Sequence, residues 1–227
     1  MYYFLNKFKD IIKIKKILKE EKIEKIFNKI YISNYWSDKE TRSGPGSNKD
    51  NTRNIIKYLP YIIKKFKIKS IVDAPCGEFY WIEKIINNYN LKYTGLDIVN
   101  KIIKFNKKKS TKKISFQKIN IIKEKISKAD LLICRDFWTH LSYLDTINCI
   151  KNFKKTSIKY ILITGFENKI INKDISTGDF RMINLFKNPY NFSKNYLLKI
   201  KDGKMQKNIR KFLYLYNKNQ FFKNIKI

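Results

Sequence analysis

Cysteine is too sparse in this chain to build with. Cys76, Cys134 and Cys149 are an odd number with no CxxC pair, and the chain has a single histidine, so neither a disulfide framework nor a zinc site is expected. A reducing cytoplasm is the expected compartment, and no metal is implied. Long apolar runs are missing too: none reaches the roughly 18–20 residues that span a bilayer. The opening stretch MYYFLNKFKDIIKIKK is broken by Lys7, Lys9 and Lys13, so no signal peptide is expected. Acidic residues number 19 against 50 basic ones, a formal charge of +31, which ordinarily points to nucleic acid or an anionic membrane. Yet 45 of the 50 are lysine and only five arginine, whereas specific phosphate and base recognition favours the planar guanidinium. The lysines travel with abundant Ile and Asn and with two alanines, four prolines and seven glycines, as an A+T-rich coding sequence would produce. Nucleic acid is therefore an alternative partner and not the favoured one. What is present suffices for a core: 43% of the 227 residues are apolar and 15% aromatic. That makes one domain with at most a short extension, neither two large domains nor a disordered chain.

Against such a background, a stretch that gathers Gly, Pro, Ala or Arg stands out. Residues 1–48 read as an extension. Phe4, Phe8, Ile11, Ile12, Leu18, Ile23, Ile26, Phe27 and Ile30 recur at near-helical spacing among lysines, a basic amphipathic helix that packs on its own domain or, alternatively, touches an anionic membrane. The loop Ser33–Asn51 follows, SNYWSDKETRSGPGSNKDN, with two of the seven glycines; it is a linker or a lid. From residue 49 onward, short apolar runs (Lys69–Ala74, Lys92–Asp97, Ile114–Ile119, Asp130–Cys134, Tyr160–Phe166) alternate with helical stretches (Thr52–Phe66, Phe79–Asn88, Val99–Asn106, Leu141–Phe153). This predicts an α/β fold with a parallel sheet and crossover helices. Tyr196–Lys201 and Lys211–Tyr216 read as two final strands joined at Asp202 and Gly203.

The first apolar run ends in Asp73-Ala74-Pro75-Cys76-Gly77-Glu78, where a parallel sheet turns into a helix and where such folds bind ligands. Gly77 lets backbone approach a ligand closely, and Asp73 and Glu78 bring carboxylates. The GxGxxG and GxxxxGK[ST] patterns are absent, which disfavours a pyrophosphate cradle. The second run ends in Gly95-Leu96-Asp97, an acid placed to accept hydrogen bonds from both hydroxyls of a ribose.

These two turns resemble the class I S-adenosylmethionine (SAM)-dependent methyltransferases, whose first motif is a D-x-x-C/G-G turn and whose second is this acid; the resemblance covers about Lys69 to Tyr216. It implies a Rossmann-like seven-stranded sheet with helices on both faces, six strands parallel and the last antiparallel, over residues 49–227. SAM is the implied cofactor, across the tips of the first, second and fourth strands. Asp73, Ala74, Pro75, Cys76, Gly77, Phe79, Trp81, Asp97 and Ile98 are its implied contacts. At the third tip the family's adenine-reading acid is replaced by Asn120, next to Ile121. The fourth strand, DLLICRD, brings Arg135 and Asp136, followed by His140. A bacterial subgroup with a W…RSGPGS loop, an RD…HL fourth motif and an N-x-D-I-x-x-G-x-x-R stretch is similar to Trp36 with Arg42–Ser47, to Arg135–Leu141 and to Asn172–Arg181. His140 and Asp136 are the candidate bases, and Arg42 a candidate for an anionic group of cofactor or acceptor. Tyr80, Trp81 and Trp138 are aromatic candidates. A sulfonium with an ammonium group needs a locally acidic or aromatic pocket in so basic a protein, and scarce acids do fall at the strand tips. The [DN]PP[YF] signature of nucleobase amine methylation is missing, since that place reads Asp136-Phe137-Trp138-Thr139. The expected activity is methyl transfer to an oxygen or nitrogen of a small-molecule or saccharide acceptor. An RNA methyltransferase and a non-catalytic binding protein are the alternatives.

Overall fold

Runs rich in Ile, Leu and Val with no polar alternation form strands that are buried on both faces. In the computed structural model, which describes residues 23–167, 171–204 and 210–223, they do so at β1 (Ser70–Asp73), β4 (Ala129–Cys134) and β5 (Ile158–Phe166), whereas β2 (Lys92–Asp97) is buried on both faces only in its last three residues and β3 (Ile114–Lys118) alternates, with Ile114 and Phe116 buried and Ser115, Gln117 and Lys118 exposed. With β6 (Leu198–Lys201) and β7 (Lys211–Asn217) they make one seven-stranded sheet in the order β3-β2-β1-β4-β5-β7-β6. The pairs among β1–β5 are all parallel, and β7 runs antiparallel to both β5 and β6. Six strands thus share one sense and β7 opposes them.

Alternate strand residues feed two cores, as a period of two requires. Val72, Leu132, Ile161 and Ile163 face one side, where α1 (Ile23–Ile32) and α5 (Tyr143–Lys154) pack. Ile71, Leu131, Ile133 and Leu162 face the other, under α2 (Lys49–Lys65) and α3 (Glu83–Ile86). Helix α4 (Asn100–Lys107) follows β2, and α6 (Lys218–Phe222), which the sequence pattern did not indicate, follows β7.

Three expectations change. Helix α2 begins at Lys49, before Thr52, because the Asn48 side chain accepts the Asn51 N–H at 3.0 Å and caps it. The expected helix Phe79–Asn88 shrinks to Glu83–Ile86, because Phe79 takes a left-handed φ of 58° that a right-handed helix does not tolerate. Of the amphipathic N-terminal helix, the described part is α1, whose Ile26, Phe27 and Ile30 are buried against the sheet; Phe4 to Leu18 lie outside the described residues. Among the described residues no helix is long and apolar enough to cross a membrane.

Candidate active site

Because β1, β2 and β4 are parallel neighbours, their carboxyl tips lie side by side, and the loops leaving them floor a cavity of about 510 Å3. The chain leaves β1 at Asp73 and reaches Gly77, whose φ of 52° suits glycine. There the Gly77 N–H donates to Asp97 Oδ2 at 3.1 Å, while Asp97 Oδ1 accepts from the Val99 N–H at 2.9 Å. Asp73 accepts from the Tyr93 hydroxyl at 2.9 Å. Both acids line the cavity, 2% and 5% exposed. Burial pushes Asp73 up to about 7 and Asp97 up to about 6. Neither is in an ion pair among the described residues.

The glycine-rich loop roofs the cavity, and each of its small residues has a contact that needs it small. Ser43 Oγ accepts the Glu78 N–H at 3.0 Å, and a Cβ on Gly77 would meet that oxygen at 2.6 Å. Gly44, at φ 92°, lies against Trp36, where a Cβ would be 3.2 Å from the ring. A Cβ on Gly46 would be 2.5 Å from Asp136 Oδ2. Glu78 turns out of the cavity and clips the loop down: it accepts from the Tyr31 hydroxyl at 2.8 Å, the Thr41 hydroxyl at 2.7 Å and the Arg42 N–H at 3.0 Å. Asn51 ties three segments together, donating to the Pro45 carbonyl at 2.9 Å and accepting from Arg135 Nη2 at 3.2 Å and the Lys204 N–H at 3.0 Å.

Beyond the tip of β4 lies a neutral quartet of two cations and two acids. Arg135 bonds Asp202 at 3.0 Å and approaches Asp136 at 3.4 Å; Lys211 bonds Asp136 at 2.5 Å and Asp202 at 2.9 Å. Burial alone would raise Asp136, but Lys211 and Arg135 hold its carboxyl well below the usual carboxylate range. An acid so paired is a poor base. His140 lies in the turn that follows; its Nδ1 is 2.8 Å from the Asp179 carbonyl oxygen, and its ring stands 4.9 Å from Trp36 and 5.7 Å from Phe180, centroid to centroid. Burial lowers the pKa of this imidazole below 6.5.

No family model matches the sequence, and no curated protein matches it. Solved structures do match. The methyltransferase domain of bacterial CtHen1-CN has a TM-score of 0.55 at 13% identity, over 74% of this chain and 99% of that one. Magnesium protoporphyrin IX methyltransferase (ChlM) from Synechocystis PCC 6803, solved with bound SAM, has 0.55 at 10% identity, over 87% and 99%. A SAM-dependent methyltransferase from Clostridium acetobutylicum ATCC 824 has 0.51 at 14% identity, over 71% and 89%. The fold is that of the class I SAM-dependent methyltransferases.

Within this methyltransferase fold, ten of the expected site residues meet at the cavity: Asp73, Pro75, Cys76, Gly77, Trp81, Asp97, Ile98, Arg135, Asp136 and His140 all line it. Five do not. Ala74 is fully buried in the core, and Phe79 turns its ring inward onto Tyr93 and Phe116 at 4.9 and 5.0 Å. Asn120 Oδ1 accepts the Ile122 N–H at 3.1 Å, closing its own turn, and with Ile121 it borders a small adjoining cleft of about 10 Å3 that shares Phe27, Pro75, Asp97, Ile98 and Phe137 with the cavity. Arg42 lies outside, its Nη1 donating to the Ile32 carbonyl at 3.4 Å. Trp138 is also a core residue, its Nε1 3.4 Å from Cys149 Sγ, and Tyr80 points to Glu40 at 3.4 Å. The stretch Asn172–Arg181 supports the His140 turn from below: the Gly178 N–H donates to the His140 carbonyl at 2.7 Å and the Arg181 N–H to the Thr139 carbonyl at 2.9 Å. Asn51, Asp202, Lys211, Phe166 and Phe180 line the cavity without having been expected there. Each lay in a segment the sequence had marked, Asn51 at the end of the loop, Phe166 and Lys211 at strand ends, Phe180 in the Asn172–Arg181 stretch and Asp202 in a turn, but none was singled out as a site residue.

Proposed function

We propose that this chain is a SAM-dependent methyltransferase that modifies an oxygen or nitrogen of a small-molecule or saccharide acceptor. The observation that carries this is the pair Asp73 and Asp97: two buried acids in no ion pair among the described residues, on adjacent strand tips, facing one cavity. Arg135 offsets only part of the burial of Asp73; burying carboxylates so incompletely compensated is costly, and a cationic ligand offsets that cost. The fit extends to size, since 510 Å3 falls in the range of about 300–1,000 Å3 typical of ligand pockets. Asp97, the Gly77 backbone and Ile98 would hold the nucleoside end, and Asp73 the charged end. When bound, SAM supplies a methyl group on its sulfonium, the electron pair of the breaking C–S bond staying with sulfur. The protein's own work is to exclude water under the Ser43–Ser47 roof and to hold acceptor and donor in line.

The acceptor would lie on the β4 side, among Trp36, Phe166, Phe180 and His140. The cations lining the cavity are already paired, Arg135 and Lys211 with Asp136 and Asp202 and Lys204 with Asp50, so this wall offers little to a phosphate. That favours an uncharged acceptor over RNA. The three buried, unpaired thiols accord with a cytoplasmic protein. In this reading residues 1–48 are cover and 49–227 the catalytic domain.

Isothermal titration with SAM tests the reading. Wild type is expected to bind with micromolar affinity, and Asp97→Ala and Gly77→Trp to lose it. Equal affinity in all three would remove the cofactor assignment.

A further inference from the structure

His140 is the only histidine in the chain, and its surroundings fix more than its position. A carbonyl oxygen only accepts, so the 2.8 Å contact between Nδ1 and Asp179 requires the hydrogen on Nδ1. In a neutral imidazole that leaves a bare lone pair on Nε2. The ring is flanked by Trp36 and Phe180 at interplanar angles of 37° and 51°. Its backbone is pinned as well, the N–H donating to the Phe137 carbonyl at 2.9 Å. The charged groups facing it are Asp136 and Asp179, which favour the imidazolium, and Lys211, which with burial disfavours it. Trp36 belongs to the roof, where Gly44 packs on its ring, so the roof and the imidazole share one contact residue.

We propose that His140 takes the proton of an acceptor hydroxyl through Nε2, and that Trp36, Phe180 and the Asp179 carbonyl are positioning groups that hold the imidazole as the Nδ1–H tautomer. The inference rests on the methyltransferase reading, which supplies the methyl donor. A lone pair of the acceptor oxygen forms the new C–O bond as the methyl C–S bond breaks with its electron pair staying on sulfur; the hydroxyl proton passes to Nε2, and once the product leaves the imidazolium returns that proton to water.

The test is nitrogen-15 NMR of the histidine-labelled full chain, where one histidine gives one set of ring signals and no cofactor is needed. Expected in wild type are the Nδ1–H tautomer and a titration midpoint below 6.5. Trp36→Leu is expected to mix the tautomers and move the midpoint toward 6.5, and Trp36→Phe to restore both. Phe180 is 56% exposed, so Phe180→Ala repeats the measurement without threatening the core should Trp36→Leu unfold. An Nε2–H tautomer in wild type overturns the proposal; so do tautomer and midpoint unchanged in the variants. Should the tautomer be as expected while SAM fails to bind, the methyltransferase reading falls and the proton-transfer role falls with it, but the positioning of the ring stands.

Discussion

Asp73 and Asp97 make the cavity costly when it is empty, and that cost depends on pH. Both have folded pKa values, about 7 and about 6, above the ordinary 3.8. Between those limits the folded chain therefore binds more protons than the unfolded one. Their contribution to stability is complete below about 4 and is lost as pH rises through 6 and 7. Melting curves of the ligand-free protein at pH 5.5 and 8 are expected to show this loss, and Asp73→Asn to reduce it. Each kcal/mol moves Tm by about 2–4 °C in a chain of this size. Equal losses in wild type and variant would contradict the assignment of charge. The position of these two acids at neighbouring strand tips was legible in the sequence. That of Asp202 and Lys211 was not, because they meet Arg135 and Asp136 across 67 and 75 residues of sequence and no local pattern announces such a contact. Phe79 misled for the opposite reason: its type and place suit ligand contact, but the left-handed backbone at this residue directs the ring inward.

Among the elements, strands were read most faithfully: β2 matches its expected limits of Lys92 and Asp97, and β4, whose Leu131–Cys134 is an unmixed apolar run buried on both faces, starts one residue before its expected Asp130. The helix after β1 was read worst. The decisive element for the site is the loop 33–47, which sequence left open between linker and lid. Its contacts make it a wall, and Glu78 is the fastening. Replacing Glu78 by Ala leaves the Thr41 hydroxyl and the Arg42 N–H without their acceptor, at a cost of about 1–3 kcal/mol for such groups where buried. Hydrogen–deuterium exchange is expected to rise by roughly an order of magnitude across residues 41–47 in Glu78→Ala, the factor that corresponds to about 1.4 kcal/mol of opening free energy. Exchange in α2, on the far side of the loop, should not change. Wild-type protection at 41–47 in the variant would refute the clip.

At the scale of the molecule, a charge of +31 coexists with a cavity whose floor is acidic and whose far wall is neutral. The lysines are spread over the surface, while Asp73, Asp97, Asp136, Asp202 and Arg135 gather around the cavity where the sheet ends. The central claim is that an adenosyl nucleoside sits between Gly77 and Asp97, and a crystal structure with S-adenosylhomocysteine tests it most directly. The account predicts the ribose hydroxyls on the Asp97 carboxylate and the amino-acid end toward Asp73. The nucleoside bound elsewhere, or those carboxylates without contact to it, would contradict the account.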